Sequence, residues 1–221
     1  MLAAALFFAA CSQETAPYLT ICIDPGHPSE VGRGTRGQKV TEIHIAWEVA
    51  TRLKKILLSQ NIKVVLTKKS EDEMVRNQRR AEIANGCHAD LMVRLHCDAS
   101  QGSGFTTYFP DRQGTVNGFT GPDPGLIKSI APIAKRFHDT LTGELKGFLN
   151  DNGNLSDVKT AVGSQHGALV GSIYSRVPVV LIEMCVLTNP NDEEKVSSAQ
   201  GLDHLASAIA VACVKSLSKS H

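Results

Sequence analysis

The chain has 221 residues, enough for one good-sized domain at about 150 residues per domain. Lys and Arg number 23 and Asp and Glu number 22, so the net charge of +1 argues against a basic face that binds nucleic acid. Apolar residues make up 42% of the chain and charged residues 20%, the composition of a globular protein with a buried core, and no apolar run approaches the about 20 residues that cross a bilayer.

The chain begins with an apolar stretch that is typical of a secretory signal. Residues 1–10 are almost entirely Ala, Leu and Phe, and polar residues follow Cys11. The Phe-Ala-Ala-Cys at 8–11 resembles a bacterial lipobox, in which the Cys is lipidated and starts the mature chain. We therefore expect a signal with a lipobox-like end at 1–11, a short linker at 12–17, and export to the periplasm or cell envelope. The alternatives are a signal cut at a small residue without lipid and a simple apolar N-terminus.

Predicted strands and helices alternate through the rest of the chain. Short apolar runs bounded by turn residues predict strands at Leu19–Ile23, Lys63–Thr67, Leu91–His96, Gly104–Phe109 and Val179–Glu183. Periodicity and capping residues predict helices at 42–60, 75–85, 126–142 and 201–217, with a helical turn after Asn189. Continuous apolar strands interleaved with helices indicate an α/β sheet covered on both faces.

Two segments carry no clear periodicity. Pro110–Gly125 contains Gly and Pro, and we expect a loop there. Lys146–Ser175 is rich in Gly, Asn, Asp and Ser and gives no prediction of helix or strand. Because we find no internal repeat and no linker to a second domain, residues 18–217 are predicted to form one domain.

Polar residues stand at the ends of several predicted strands, where ligands gather in α/β sheets. They are His27, His96 and Glu183, and Glu42 opens the first long helix. Two imidazoles and one carboxylate can hold a catalytic zinc ion, which takes three protein ligands and a water. A separate carboxylate such as Glu183 can then take a proton from that water. Each His alone is more often a surface group, although a buried Glu183 is costly unless a partner such as a metal lies nearby.

Four separated motifs give this pattern more weight. They are Ile-Asp-Pro-Gly-His at 23–27, Glu42 at a helix start, Leu-His-Cys-Asp-Ala at 95–99, and Val-Leu-Ile-Glu at 180–183 followed by Leu-Thr-Asn-Pro at 187–190. In order and spacing this set resembles the zinc-dependent N-acetylmuramoyl-L-alanine amidases of bacterial cell walls, of the amidase_3 type. The resemblance covers about residues 18–215.

The resemblance implies a site, a fold and an activity. His27, Glu42 and His96 are the implied ligands of one zinc ion, and Glu183 is the implied catalytic carboxylate. The implied fold is one domain with a mixed, mostly parallel sheet of about six strands flanked by helices. The implied activity is hydrolysis of the amide between N-acetylmuramic acid and L-alanine in peptidoglycan. The alternatives are a peptidoglycan-binding envelope lipoprotein without activity and a zinc hydrolase of this fold that acts on another amide.

Two further residues near these motifs have open interpretations. Arg94 stands where the resembling family commonly has a small residue. Because alternate strand residues face the same side, Arg94 and His96 should point the same way. Arg94 either meets an anionic group of the substrate or pairs with a local acid. Asp24 either orients the loop or a zinc ligand or simply forms the Asp-Pro-Gly turn.

Residues 32–37 read Gly-Arg-Gly-Thr-Arg-Gly and fit the glycine pattern of dinucleotide-binding loops. That pattern needs its glycines directly between a strand and its helix, whereas Gly32 lies eight residues beyond Asp24. We therefore expect a flexible loop over the site instead of a nucleotide site.

The expected partner is peptidoglycan, with room for a protein activator. We expect no nucleic-acid partner, and membrane contact only through a lipid at Cys11. The protein is predicted to be a monomer.

Overall fold

The computed structural model describes residues 19–218. The predicted signal, the lipidation candidate Cys11 and the linker at 12–17 lie outside these residues and stay predictions. Between residues 19 and 218, no helix combines the length and the apolar character needed to span a membrane.

Within the described residues eight strands form, and six of them make one central sheet. They are β1 (Thr20–Pro25), β2 (Lys63–Leu66), β3 (Leu91–Asp98), β4 (Phe105–Phe109), β5 (Gly114–Val116), β6 (Phe119–Gly121), β7 (Asp151–Ser156) and β8 (Val179–Val186). The sheet has the order β2-β1-β3-β8-β4-β7. The first four strands in this order run parallel, β4 runs antiparallel to β8, and β7 runs parallel to β4. The predicted mixed, mostly parallel sheet of six strands is confirmed.

Helices cover both faces of this sheet, as predicted. They are α1 (Glu42–Ser59), α2 (Asn77–Gly86), α3 (Pro124–Glu144), α4 (Ala161–His166), α5 (Val170–Ile173), α6 (Pro190–Ser197) and α7 (Ala199–Leu217), with a 3-10 turn at Asp157–Lys159. The helix α7 packs between α1 and α3, whereas α2 packs on α5 and contacts β1. Ile45, Val49 and Leu53 of α1 are fully buried, which explains the helical spacing of apolar residues in the sequence.

The segment 110–125, expected as a loop, contains a small hairpin. β5 and β6 pair antiparallel around Asn117 and Gly118. Both turn residues have positive φ, 51° and 76°, which is the backbone that Asn-Gly supplies in a two-residue hairpin. The expectation of a loop without regular structure was therefore wrong, because the Asn-Gly pair at 117–118 favours a tight hairpin turn.

The segment 146–175, which shows no clear periodicity, also contains regular structure, namely β7, the 3-10 turn, α4 and α5. β7 has the sequence Asp-Asn-Gly-Asn-Leu-Ser and lies at the edge of the sheet, with none of its residues fully buried. An edge strand that buries neither face has no reason to alternate apolar and polar residues. Apolar periodicity therefore could not detect it.

Candidate active site

Three parallel strands and one helix bring the predicted site residues to one edge of the sheet. His27 lies just beyond the end of β1, His96 is near the end of β3, and Glu183 lies opposite His96 on β8. Glu42 is the first residue of α1, which Thr41 caps by accepting from the His44 amide. All four side chains line one cavity of about 480 Å³. The convergence follows from topology, because the carboxyl ends of parallel neighbouring strands meet at the same edge.

His27, Glu42 and His96 form a tight cluster. His27 Nε2 lies 3.6 Å and His96 Nδ1 2.8 Å from Glu42 Oε1. One donor atom from each of the three residues lies within 4.8 Å of the others. The imidazole rings meet edge to face, with their centroids 5.1 Å apart. Such a spacing lets three donor atoms converge on one ion.

The surrounding backbone fixes the orientation of these side chains. His27 Nδ1 lies 3.0 Å from the Gly32 carbonyl oxygen and donates to it, so Nε2 presents its lone pair to the cluster. Glu42 accepts from the Thr35 amide through Oε2, at 2.7 Å, and from the Cys97 amide through Oε1, at 3.2 Å. Both carboxylate oxygens are therefore held in place before any ligand binds.

Gly34 lets the loop at 32–37 pass directly over the cluster. Its φ is +75°, and a Cβ atom added there would lie 2.7 Å from His27 Cδ2 and would collide with Glu42 Oε2. The loop is tied down at Thr35, whose carbonyl oxygen accepts from the Glu42 amide. The glycine at position 34 is thus explained by its close approach to these two side chains.

The protonation states of the cluster suit a cation. Burial raises the pKa of Glu42, but the hydrogen bond and charge of His96 and the charge of His27 outweigh it, so the pKa is lowered. Burial lowers the pKa of His96, although Glu42 opposes the shift. A carboxylate and a neutral imidazole at neutral pH are the forms that bind metals. His96 Nε2 is also buried without a hydrogen-bond partner. The three residues therefore fit a bound metal ion, with a donor set of two nitrogens and one carboxylate.

Glu183 faces the same cavity with an uncommitted carboxylate. Its Oε2 atom is buried without a hydrogen-bond partner among the described residues. Burial raises the pKa of Glu183 well above its ordinary value, the charges of Glu42 and Asp98 raise it further, and Arg94 opposes them. A carboxyl group with a raised pKa beside a cluster that fits a metal ion is suited to accept and return a proton.

Asp24 and Arg94 lie together beneath the cavity. Asp24 is fully buried and accepts from Arg80 at 2.6 Å, from Arg94 at 2.8 Å and from Thr67. Burial raises its pKa, but the two guanidinium groups outweigh it and hold the pKa well below its usual range. None of the hydrogen bonds of Asp24 reaches His27, Glu42 or His96. Arg94 both pairs with this acid and lines the cavity.

Several residues that line the cavity were not predicted from the sequence to belong to the site. They are Asn77 of α2, Tyr108 of β4, Lys159 and Thr160 after β7, and Leu169 and Val170 at the start of α5. No local motif marks these positions, because each reaches the cavity through the tertiary fold. Asn77 and Tyr108 do lie on a predicted helix and a predicted strand, but neither element pointed to the site.

Comparisons with known proteins identify the class to which this α/β domain belongs. The Amidase_3 family model, described as N-acetylmuramoyl-L-alanine amidase, matches residues 21–215. The chain therefore belongs to the N-acetylmuramoyl-L-alanine amidase family, as the sequence motifs predicted.

Individual relatives and solved structures share low sequence identity with this chain. The chain is 29% identical over 195 residues to the N-acetylmuramoyl-L-alanine amidase LytC of Bacillus subtilis, a match that covers 86% of this chain and 34% of LytC. The matches to two further amidase relatives cover 51% and 63% of their length, so the chain spans between about a third and two thirds of these three relatives. Two solved structures share the fold. Ami1 of Mycobacterium abscessus has a TM-score of 0.71 at 21% identity, covering 90% of this chain and 99% of that one. CwlD of Clostridioides difficile, solved with the GerS lipoprotein, has a TM-score of 0.70 at 18% identity, covering 90% and 98%.

Proposed function

We propose that this protein hydrolyses the amide bond between N-acetylmuramic acid and L-alanine in peptidoglycan. The observation that carries the proposal is the cluster of His27, Glu42 and His96 beside the unpaired carboxylate of Glu183. The match of the amidase family model across residues 21–215 supplies the substrate class.

The cluster would hold one zinc ion, which suits a donor set of two imidazoles and one carboxylate. When bound, zinc supplies Lewis-acid chemistry, because it polarises a carbonyl oxygen and lowers the pKa of water. The protein's share is to keep His27 in the tautomer with a free Nε2, to keep Glu42 ionised, and to hold both close to His96.

Glu183 is the proposed general base and general acid. It would accept a proton from the attacking water and pass it to the departing nitrogen of L-alanine, so the carboxylate returns to its starting state. The raised pKa supports this role, because a carboxyl group of ordinary acidity holds a transferred proton poorly at neutral pH. The surroundings of Glu183 support this role as well, since no described residue donates a hydrogen bond to its buried Oε2 atom.

The wider setting is also proposed. Peptidoglycan is the expected partner, the catalytic domain is expected to span 18–217, and the protein is expected to be an exported monomer of the periplasm or cell envelope, anchored by a lipid at Cys11. A protein activator is supported by analogy with the structural neighbour CwlD, which was solved together with a lipoprotein.

Product analysis tests the proposal. Purified protein is incubated with purified sacculi, with added zinc or after chelation, and the soluble products are identified by mass spectrometry. We expect zinc-dependent release of peptides that begin with L-alanine. Release of peptides with another N-terminus would indicate a zinc hydrolase of different specificity, and zinc and sacculus binding without release would indicate a binding protein.

A further inference from the structure

Arg94 presents part of a buried guanidinium group to the cavity. It lies on β3 two residues before His96, on the same face, and only 3% of it is exposed. Its Nε donates to Asp24 at 2.8 Å and its Nη2 donates to Asn77 Oδ1 at 2.6 Å. Its Nη1 makes no hydrogen bond to any residue between 19 and 218. Unlike His96 Nε2 and Glu183 Oε2, this nitrogen is not a fully buried atom without a partner. This nitrogen is therefore free to donate into the cavity.

The charges around Arg94 leave it incompletely neutralised. Asp24 is shared, since Arg80 binds its other oxygen at 2.6 Å and is itself only 1% exposed. Two buried guanidinium groups thus share one carboxylate. Glu183 and Asp157 lie near enough for their charges to interact with Arg94, but neither is hydrogen-bonded to it. Because a buried cation without full pairing is costly, Arg94 favours an anionic ligand.

The fold makes room for this arginine. A Cβ atom added at Gly171 would lie 2.7 Å from Arg94 Nη1 and 2.9 Å from Cζ. Glycine at 171 in α5 therefore leaves the space that the guanidinium group of Arg94 occupies. Arg94 therefore has a fixed guanidinium group, a counter-ion that it shares with Arg80, and a glycine that leaves space for it. These features distinguish it from a surface arginine that pairs with a nearby acid.

We infer that Arg94 is a specificity-determining residue that binds a carboxylate of the stem peptide, on the residue that follows L-alanine. The inference rests on the proposed function. Two residues along β3 separate Arg94 from His96 by about 6.6 Å, and a carboxylate one residue beyond L-alanine lies about as far from the scissile amide in an extended peptide.

The test compares two soluble muramoyl dipeptides that differ only in carrying a free carboxylate or a carboxamide on the residue after L-alanine. With the zinc-loaded wild-type protein we expect kcat/KM to be at least about tenfold higher for the carboxylate, the effect of one charge-assisted hydrogen bond. In R94Q we expect the ratio of the two kcat/KM values to fall towards one. The matched control R79Q, an exposed arginine on α2, should keep the wild-type ratio.

The ratio separates recognition from a merely structural role. If Arg94 only held Asp24 in place, R94Q would lower both rates together and keep the ratio, which would overturn the inference. Equal turnover of both substrates by wild-type protein would overturn it without any variant, so a poorly folded R94Q leaves the test decisive. Turnover of neither substrate by zinc-loaded wild-type protein would contradict the proposed function itself, and the inference with it.

Discussion

Asp24→Asn gives the most direct test of how the floor of the cavity is built. The substitution keeps the shape of the side chain but removes the charge that Arg80 and Arg94 share. Both guanidinium groups then stay buried, at 1% and 3% exposure, without a counter-ion. Breaking a buried ion pair in this way costs about 3–5 kcal/mol. For a domain of this size the free-energy loss corresponds to a drop in Tm of roughly 6–20 °C.

The pH dependence of this loss has a fixed sign. The pKa of Asp24 is lower in the folded protein than in the unfolded chain, where it is about 3.9. Its contribution to stability is therefore fully present well above pH 4 and decreases as the pH falls towards the folded-state value. We expect the difference in the free energy of unfolding between D24N and wild type to be constant from pH 6 to 8 and to become smaller below about pH 4.

Urea unfolding followed by circular dichroism, without zinc, measures both effects. Asp203→Asn is the matched control, because Asp203 pairs with Arg52 at 2.8 Å but its side chain is 68% exposed. The control should lose no more than about 1 kcal/mol. If D24N were as stable as D203N at pH 7, the two arginines would not depend on this carboxylate and the account of the cavity floor would be incorrect.

Two further variants probe the cluster of His27, Glu42 and His96. Glu42→Gln removes the proposed carboxylate ligand, so the Kd for zinc should rise by more than about 100-fold, as measured by competition with a chromogenic chelator. Glu48→Gln on the outer face of α1 should leave this Kd unchanged. Equal Kd values for E42Q and wild type would remove Glu42 from the proposed ligand set. Gly34→Ala should weaken zinc binding more than Gly32→Ala, because both glycines have positive φ, and an added methyl group collides with His27 and Glu42 only at 34. Each of the two alanine variants should also lose about 1–2 kcal/mol of stability through left-handed backbone strain. Equal zinc affinities in G34A and G32A would show that the close approach at position 34 does not affect zinc binding.

The central sheet could be predicted from sequence because burial leaves a strong pattern. β1 is buried along its whole length and β8 nearly so, and both therefore appear as continuous apolar runs between turn residues. The convergence of His27 and His96 followed from their positions at the ends of strands. The predicted helix at 42–60 placed Glu42 at a helix start, and in the structure Thr41 caps that start.

The contacts beneath and beside the cavity could not be predicted in the same way. Arg94 binds Asp24 across 70 residues, and Arg80 reaches the same acid across 56. Neither spacing leaves a local signal, and parity on β3 showed only which way Arg94 points. The wall formed by 157–170 follows an exposed edge strand, whose polar sequence resembles that of a loop. The β5–β6 hairpin was predictable, since Asn117 and Gly118 carry a turn signal.

The central claim is that Glu183 moves the proton in a metal-assisted amide hydrolysis, and one comparison tests it most directly. Wild type and Glu183→Gln are brought to the same measured zinc content and incubated with purified sacculi, and released peptides are quantified by mass spectrometry. Glu194→Gln, an exposed glutamate on α6, is the control for the same chemical change. At equal zinc content, we expect release of peptides by wild type and E194Q and loss of release in E183Q. Release by E183Q at the wild-type rate would contradict it.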